Sequence, residues 1–378
     1  MTPRATPAGR GPAGATSQSR GAVRAAGRAL DRLVATPARL RLALVAVAAF
    51  QVILSAAVVR AIAPNAWLAD ATRGVEAAQA LAAGTFGTDR GYLYSPLAAM
   101  LILATTWIPA GVAGGAWLVA RLGVLIAGIG RETRGLPTAD RLLIALAAAA
   151  FLPTVYDLML GNVSILLVAA VALVAWSPDR LRTGLPLGLA LATAPKPALI
   201  PILVWMLVFR RRALAGSLGT AGAVTLAAVA VLGVAPYAVW IDVLRHPLYL
   251  AGPQGGNFAL TGFFPTLVAV ALGALAVAAA IVALRRGETP GLLAAVAVGL
   301  LVAPYTLAYG AVFLLLAVRP LAGVLPAWLL LLSALAAPVL VIVFLPGLAG
   351  ALLAVAVVVR PWRWPPLAKP PPPESSLR

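Results

Sequence analysis

Apolar runs recur along this chain from about residue 40 to residue 359, separated by short turns rich in arginine. Runs at 40–62, 113–130, 141–160, 163–176, 213–235, 264–284, 290–303, 306–318, 323–345 and 347–359 predict membrane-embedded helices. Residues 184–209 need separate treatment, because they are bounded by arginines at both ends and interrupted by Ala194-Pro195-Lys196-Pro197. Proline lacks an N–H and restricts the residue before it, so this piece predicts two short helices forming a hairpin with Lys196 near its tip. Residues 95–111 are the other exception. With both termini on one side the number of crossings is even, and it becomes twelve if 95–111 stays at the interface or re-enters. The pattern thus predicts an all-α polytopic membrane protein, one bundle of about 12 transmembrane helices.

Two long polar interruptions break this pattern. The first, DATRGVEAAQALAAGTFGTDRGYLYSP over 70–96, follows the first span. Trp67, Val75, Ala78, Leu81 and Ala82 recur there at helical spacing opposite Asp70, Arg73, Glu76 and Gln79, which predicts an amphipathic interfacial helix in the first outer loop. The second, 236–262, carries Asp242, Arg245, His246, Gln254 and Asn257 and reads as a loop.

Composition sharpens the class. The chain has 378 residues, 62% of them hydrophobic, with a mean hydropathy of +0.98, well above a soluble average of roughly 45–50% apolar. The net charge of +18 is not a nucleic-acid footprint, because arginine sits in the termini and turns with no basic stripe interleaved with aromatics. It follows the positive-inside pattern and places the Arg turns and both termini in the cytoplasm. Residues 1–38 are Gly-, Ala-, Pro-, Ser-, Thr- and Arg-rich and read as a disordered basic tail, 39–360 as the membrane domain, and 361–378 as a Pro-rich tail. Cysteine is absent and histidine occurs once, which excludes thiolate chemistry and a His-based metal cluster. P-loop, Gly-x-Ser-x-Gly and Asp-x-Asp motifs are absent as well.

The outward-facing polar residues are the candidates for chemistry. A carboxylate at Asp70 suits a general base, and equally a helix-start acid favoured by the dipole; Glu76 and Asp89 are its rivals. Lys196 is the only lysine in the apolar region. An ammonium on a broken helix suits a phosphate, or snorkels to the interface. Arg245 and His246 form a cationic pair suited to an anionic lipid or phosphate, or a stray pair in a short loop. Asn162, Ser164, Gln254 and Asn257 suit sugar hydroxyls or helix caps. Tyr305 and Tyr309 suit an aromatic belt.

Taken together, these elements resemble glycosyltransferase family 87, the polyprenol-phosphate-mannose-dependent α-mannosyltransferases. The resemblance is carried by Asp70, AAQALAAG at 77–84, YLYSPLAAM at 92–100, GNVS at 161–164, APKPALIPIL at 194–203, GGNFALTG at 255–262 and APYTLAYGAVFLLL at 303–316. Ser95-Pro96 stands where the family has Pro-Pro, Asn162 where it has Gln, and Tyr309 where characterised mannosyltransferases carry His. The resemblance implies a GT-C-type bundle with its active site on the outer face of a bacterial inner membrane. It implies a polyprenyl-phosphate sugar as donor with no further cofactor, a glycolipid or cell-envelope glycan as acceptor, and inversion. Asp70 would be the catalytic base, Lys196 with Arg245 and His246 would hold the donor phosphate, and Tyr94, Asn162, Asn257 and Tyr309 would bind sugar or acceptor. Two other readings stay open: a transporter or flippase of lipid-linked sugars, which predicts internal repeats, and a non-catalytic subunit of envelope assembly.

Overall fold

Helices account for the described residues almost throughout, and no strand occurs among them. A computed structural model describes residues 37–62, 67–87, 92–245, 257–322, 324–325 and 327–359. Both tails, Asp89, His246 and Gln254 lie outside the described residues. By contact the chain divides into Met1–Val47 and Ala48–Arg378. The first is described only as the opening turns of α1 (Pro37–Ile62). Everything that follows concerns the second.

The three helices long and apolar enough to cross a membrane among the described residues are α4 (Ala110–Glu132), α10 (Arg211–Leu232) and α13 (Thr266–Arg286). A fourth crossing is possible by length if α5 (Thr138–Ala150) and α6 (Leu152–Leu160) count as one span, bent by 54°. The break falls at Phe151, which is extended, with Pro153 at the second position of α6 removing a backbone donor. The expected count of about 12 spans is therefore not confirmed among the described residues, whose other apolar helices are shorter. One reason lies at the end of the chain. Where the apolar pattern predicts runs at 323–345 and 347–359, a single helix, α16 (Ala327–Val358), runs through. Pro346 removes one N–H donor, but Leu-, Val- and Ala-rich flanks propagate the helix across it.

The pieces that position the site are short. α2 (Ala69–Ala82) is the expected helix of the first loop, although Trp67 and Val75 are exposed and its buried side is Gly74, Ala77 and Ala78. Residues 70, 74, 77, 78 and 81 share that face by helical spacing, so Asp70 points inward with the small residues. α3 (Pro96–Leu103) rises only about 12 Å, too little to cross a bilayer core of about 30 Å. After α7 (Ser164–Trp176), the 184–209 piece breaks as its prolines predict. α8 (Leu185–Thr193) and α9 (Ile200–Phe209) flank extended residues 194–196 and a 3-10 turn, Pro197–Leu199. The ends of this pair away from Lys196 return to one place, because the Asp179 carboxylate accepts from the Ala213 N–H at 2.9 Å and Arg210 donates to the Ala175 carbonyl at 2.9 Å. Residues 235–245, expected to be loop, form the helix α11 (Ala235–Arg245). A four-residue helix, α12 (Leu260–Phe263), precedes α13.

α14 (Glu288–Val302) is apolar on every side and is buried over Thr289–Leu301, as expected of a central helix. Glu288 at its start pairs with Arg210 at 2.6 Å and its carbonyl accepts from Trp205 Nε1 at 2.9 Å. Gly299 near its end lies so close to the Pro197–Leu199 turn that a methyl there would overlap the Ala198 carbonyl. The chain then enters a 3-10 helix, Ala308–Ala317, before α15 (Val318–Ala322). Ten residues is long for this geometry, which often marks a functional or strained segment.

Basic turns meet at one end of this unit. Arg131 Nη2 donates to Ser177 Oγ at 2.8 Å, and the Arg319 guanidinium lies 5.7 Å from the Trp176 ring, beside the Arg210 contacts.

Candidate active site

The site is built on a break between α6 and α7. Gly161 ends α6 with φ +77°, the left-handed conformation a glycine adopts without strain. Any side chain at Gly161 would also press on Ala71, one residue beyond Asp70. Arg121, fully buried on α4, holds the break open. It donates to the carbonyls of Asp157 at 2.9 Å, Leu158 at 3.0 Å and Asn162 at 3.3 Å, while Trp117 Nε1 donates to the Gly161 carbonyl at 2.8 Å. The Asp157 and Leu158 carbonyls belong to the last turn of α6, where acceptors have spare capacity, and those of Gly161 and Asn162 follow it.

The first loop docks on this break. The Leu68 N–H donates to the Met159 carbonyl at 2.6 Å, and Leu68 itself sits at φ 55°. A left-handed leucine costs about 1–2 kcal/mol, and such strain concentrates at functional sites. α2 starts immediately afterwards and turns Asp70 toward Asn162. The second anchor is Ser95: its N–H donates to the Thr193 carbonyl at 2.9 Å and its hydroxyl to the Ala192 carbonyl at 2.6 Å. Proline could make neither bond, so the Ser95 departure from the Pro-Pro pattern fastens the loop to α8.

Asn162 is the centre. Its Nδ2 donates to Asp70 Oδ2. Its Oδ1 accepts from Lys196 Nζ at 3.0 Å, from the Ser164 N–H at 3.0 Å and from Ser164 Oγ at 2.7 Å. Lys196 Nζ also donates to Ser164 Oγ at 2.7 Å and lies 4.9 Å from the centre of the Tyr309 ring. Tyr309 packs edge-on against Tyr156, with ring centres 5.8 Å apart. A carboxylate, an amide and an ammonium from three distant stretches are therefore joined through one side chain.

Charge is balanced around this chain of bonds. The carboxyl of Asp157 is fully buried, acts electrostatically on both Lys196 and Arg121, and has the Ser164 hydroxyl beside it. Asp70 is part-exposed. Burial pushes its carboxyl above the ordinary range, opposed by the Asn162 hydrogen bond and then by Lys196, Arg73 and Arg121. Tyr94 feels the charge of both carboxylates and hydrogen-bonds the backbone of Val163. Burial, then Asp70 and Asp157, push its phenol well above its ordinary value, so it is a hydrogen-bond donor and not a base. No group of three or more metal-ligating side chains occurs among the described residues.

Of the residues singled out by sequence, Asp70, Tyr94, Asn162, Lys196 and Tyr309 come together. Arg245 does not: it is exposed at the end of α11, and the cations acting on Asp70 are Lys196, Arg73 and Arg121. Asn257 is also separate. Its amide is buried, donating to Thr261 Oγ1 at 3.2 Å and the Pro304 carbonyl at 3.4 Å and accepting from the N–H groups of Ala259 at 3.0 Å and Thr306 at 3.1 Å. It brackets 257–261 to 304–306, and a sugar would have to break that bracket. Glu76 is exposed. One ionisable residue escaped the sequence reading, Arg121, while Asp157 begins an outward-facing polar piece, 157–164, that the sequence marks without giving its carboxyl a role. Arg121 sits inside an otherwise apolar run, a placement that itself signals function or pairing.

The fold and site thus define an all-helical membrane protein whose polar centre joins a part-exposed carboxylate to a lysine. The model of glycosyltransferase family 87 matches residues 92–308, more than half of the chain, and the chain belongs to that family. No curated protein and no solved structure matches it. The matched segment includes Tyr94, Asn162 and Lys196, and ends one residue before Tyr309; Asp70 lies well before its start at residue 92.

Proposed function

We propose that the protein transfers a sugar, mannose by the family resemblance, from a polyprenyl-phosphate donor to a glycolipid or cell-envelope glycan, with inversion, at the outer face of a bacterial inner membrane. The observation that carries this reading is the bond chain Asp70–Asn162–Lys196. An inverting transfer needs a base on the acceptor side and a cation on the leaving-group side of one anomeric carbon. The acceptor oxygen attacks that carbon as its proton passes to the Asp70 carboxylate. The bond between the carbon and the phosphate oxygen breaks, its electron pair stays on the polyprenyl phosphate, and Lys196 meets the growing charge. Asn162 orients both groups, and Tyr94 and Tyr309 flank the sugar.

A retaining route needs a second carboxylate open to the sugar. Asp157 is fully buried, which supports a single base. The gathering of arginine turns at the opposite end supports the outward orientation. Asp70→Asn tests the reading in purified protein: it retains folding and donor binding and loses transfer from a polyprenyl-phosphate sugar by at least about 10³-fold. Wild-type turnover in that variant would remove the base.

A further inference from the structure

Three donors close on one neutral oxygen. Asn162 Oδ1 accepts from Lys196 Nζ at 3.0 Å, from the Ser164 N–H at 3.0 Å and from Ser164 Oγ at 2.7 Å. Lys196 and Ser164 are themselves linked, Nζ to Oγ at 2.7 Å. An amide oxygen offers two lone-pair directions, so one of the three donors is surplus. A bond from the Ser164 N–H to an asparagine two residues earlier is an ordinary way to satisfy the start of a helix. It accounts neither for the ammonium nor for the hydroxyl.

The same three donors suit a charged oxygen better. An ammonium, a hydroxyl and a backbone N–H at the positive end of the 13-residue helix α7 are groups that hold a phosphate oxygen. Charge points the same way. Among the described residues, the cations acting on Asp70 and Asp157 are Lys196, Arg121 and Arg73, three against two carboxylates. With each of these groups ionised one positive charge is left over, and a phosphodiester carries one negative charge. Asp157 opposes an anion from beside Ser164, and Arg121, bonded to the Asp157 carbonyl at 2.9 Å, offsets it. Asn162 and Ser164 are buried, whereas Lys196 is part-exposed. The point where the three donors meet is filled by Asn162 Oδ1, so an anion enters it only once the amide swings away.

We propose that Ser164, through its hydroxyl and its N–H, is a ligand of the donor phosphate beside Lys196, and that the Asn162 amide fills the place of that phosphate in the resting protein. The inference rests on the donor reading above and adds to it a residue and an order of events. Arrival of the phosphate displaces the amide, and the bond from Asn162 Nδ2 to Asp70 goes with it. Asp70 is thereby released to an acceptor hydroxyl only when the donor is in place. Asn162 holds the base and the cation together until then.

The test is equilibrium binding of polyprenyl phosphate, the donor without its sugar, to the full chain in nanodiscs, with uncharged polyprenol as control. Ser164→Ala removes a hydrogen bond to a charged oxygen and raises the dissociation constant about 10-fold or more. Asn162→Ala removes the occupant and has the opposite sign: the dissociation constant falls about 2- to 10-fold, the worth of an ordinary hydrogen bond. Asn162→Asp puts a carboxylate among the three donors, and binding is lost. Polyprenol binding is unmoved in all three. If Asn162 were only framework, truncating it would weaken binding, so a raised dissociation constant for Asn162→Ala overturns the proposal, as does wild-type affinity in Ser164→Ala. The Asn162 pair carries the test should Ser164→Ala fail to fold, because a folding defect does not tighten binding. Inorganic phosphate is the second ligand. If it follows the same order across the variants while polyprenyl phosphate does not bind, the Ser164 site stands as an anion site and the lipid-donor reading falls. If neither binds, the site falls as well.

Discussion

Replacing Lys196 by methionine removes the ammonium and keeps the length of the side chain. Three contacts go with it: the bonds to Asn162 Oδ1 and Ser164 Oγ and the contact with the Tyr309 ring. A hydrogen bond from a charged donor is worth about 1.5–3 kcal/mol. Loss of one such bond to the leaving phosphate therefore lowers kcat/KM about 10- to 150-fold. A second effect has a definite sign. The Lys196 charge holds the Asp70 carboxyl down against the burial that raises it. Asp70 must be ionised to take a proton, so activity is lost as pH falls through its raised pKa. Without Lys196 that pKa rises further, and the acidic limb of the pH–rate profile moves to higher pH. The assay is transfer of radiolabelled sugar from polyprenyl phosphate in detergent or nanodiscs, at subsaturating donor, across the acid to neutral range. A merely misfolded variant would lose amplitude without moving the limb. A variant with wild-type donor saturation and an unmoved limb would refute the pairing of Lys196 with both the phosphate and the base.

Three further substitutions separate framework from chemistry. Asn257→Ala breaks the bracket between 257–261 and 304–306 and leaves its backbone partners unpaired, at about 1–3 kcal/mol each; the thermal midpoint falls, and a changed donor KM with unchanged stability would restore Asn257 as a sugar ligand. Ser95→Pro recreates the family's Pro-Pro and loses two buried bonds, a destabilisation of about 1–3 kcal/mol that thermal unfolding in detergent reads; a more stable variant would contradict the anchoring role. Arg121→Met strips the end of α6 of its cap and leaves Asp157 with one cation fewer, costing roughly 3–5 kcal/mol, so little folded protein survives solubilisation; a well-folded variant would show that the break between α6 and α7 holds without the guanidinium.

Much of this was legible from periodicity and punctuation. The prolines at 195 and 197 announced the break that carries Lys196, and the spacing over 70–82 announced the helix that carries Asp70. The face of that helix was misread, because Gly74, Ala77 and Ala78 bury through smallness against α3 while Trp67 and Val75 stay exposed. Hydropathy ranks large residues first, but close packing between helices is made by small ones. The fusion of the last two runs escaped for a similar reason: a single proline reads as a boundary, yet removes only one backbone bond. Which asparagine serves the site could not be read from type. Asn162 and Asn257 both precede short helices, and only the third dimension shows one facing a carboxylate and a lysine and the other facing backbone.

The buried charges explain why the polar centre can exist in so apolar a chain. Arg121 and Asp157 are fully buried, and each alone would be costly in a low dielectric. Their costs are offset together: the guanidinium is satisfied by carbonyls at the end of α6, and the carboxylate balances Arg121 and Lys196. Neither side chain is as open to a substrate as Asp70. They form a fixed electrostatic floor beneath Asn162. Above that floor Asp70 and Lys196 are held by a single neutral amide, which supplies one donor and one acceptor and no charge. A charged residue at position 162 would bias the site toward one partner. An aspartate would repel Asp70 and strengthen its hold on Lys196, and a lysine would do the reverse. An amide binds both and leaves each free to change partners, Asp70 to an acceptor hydroxyl and Lys196 to a phosphate, as the transfer proposed above requires.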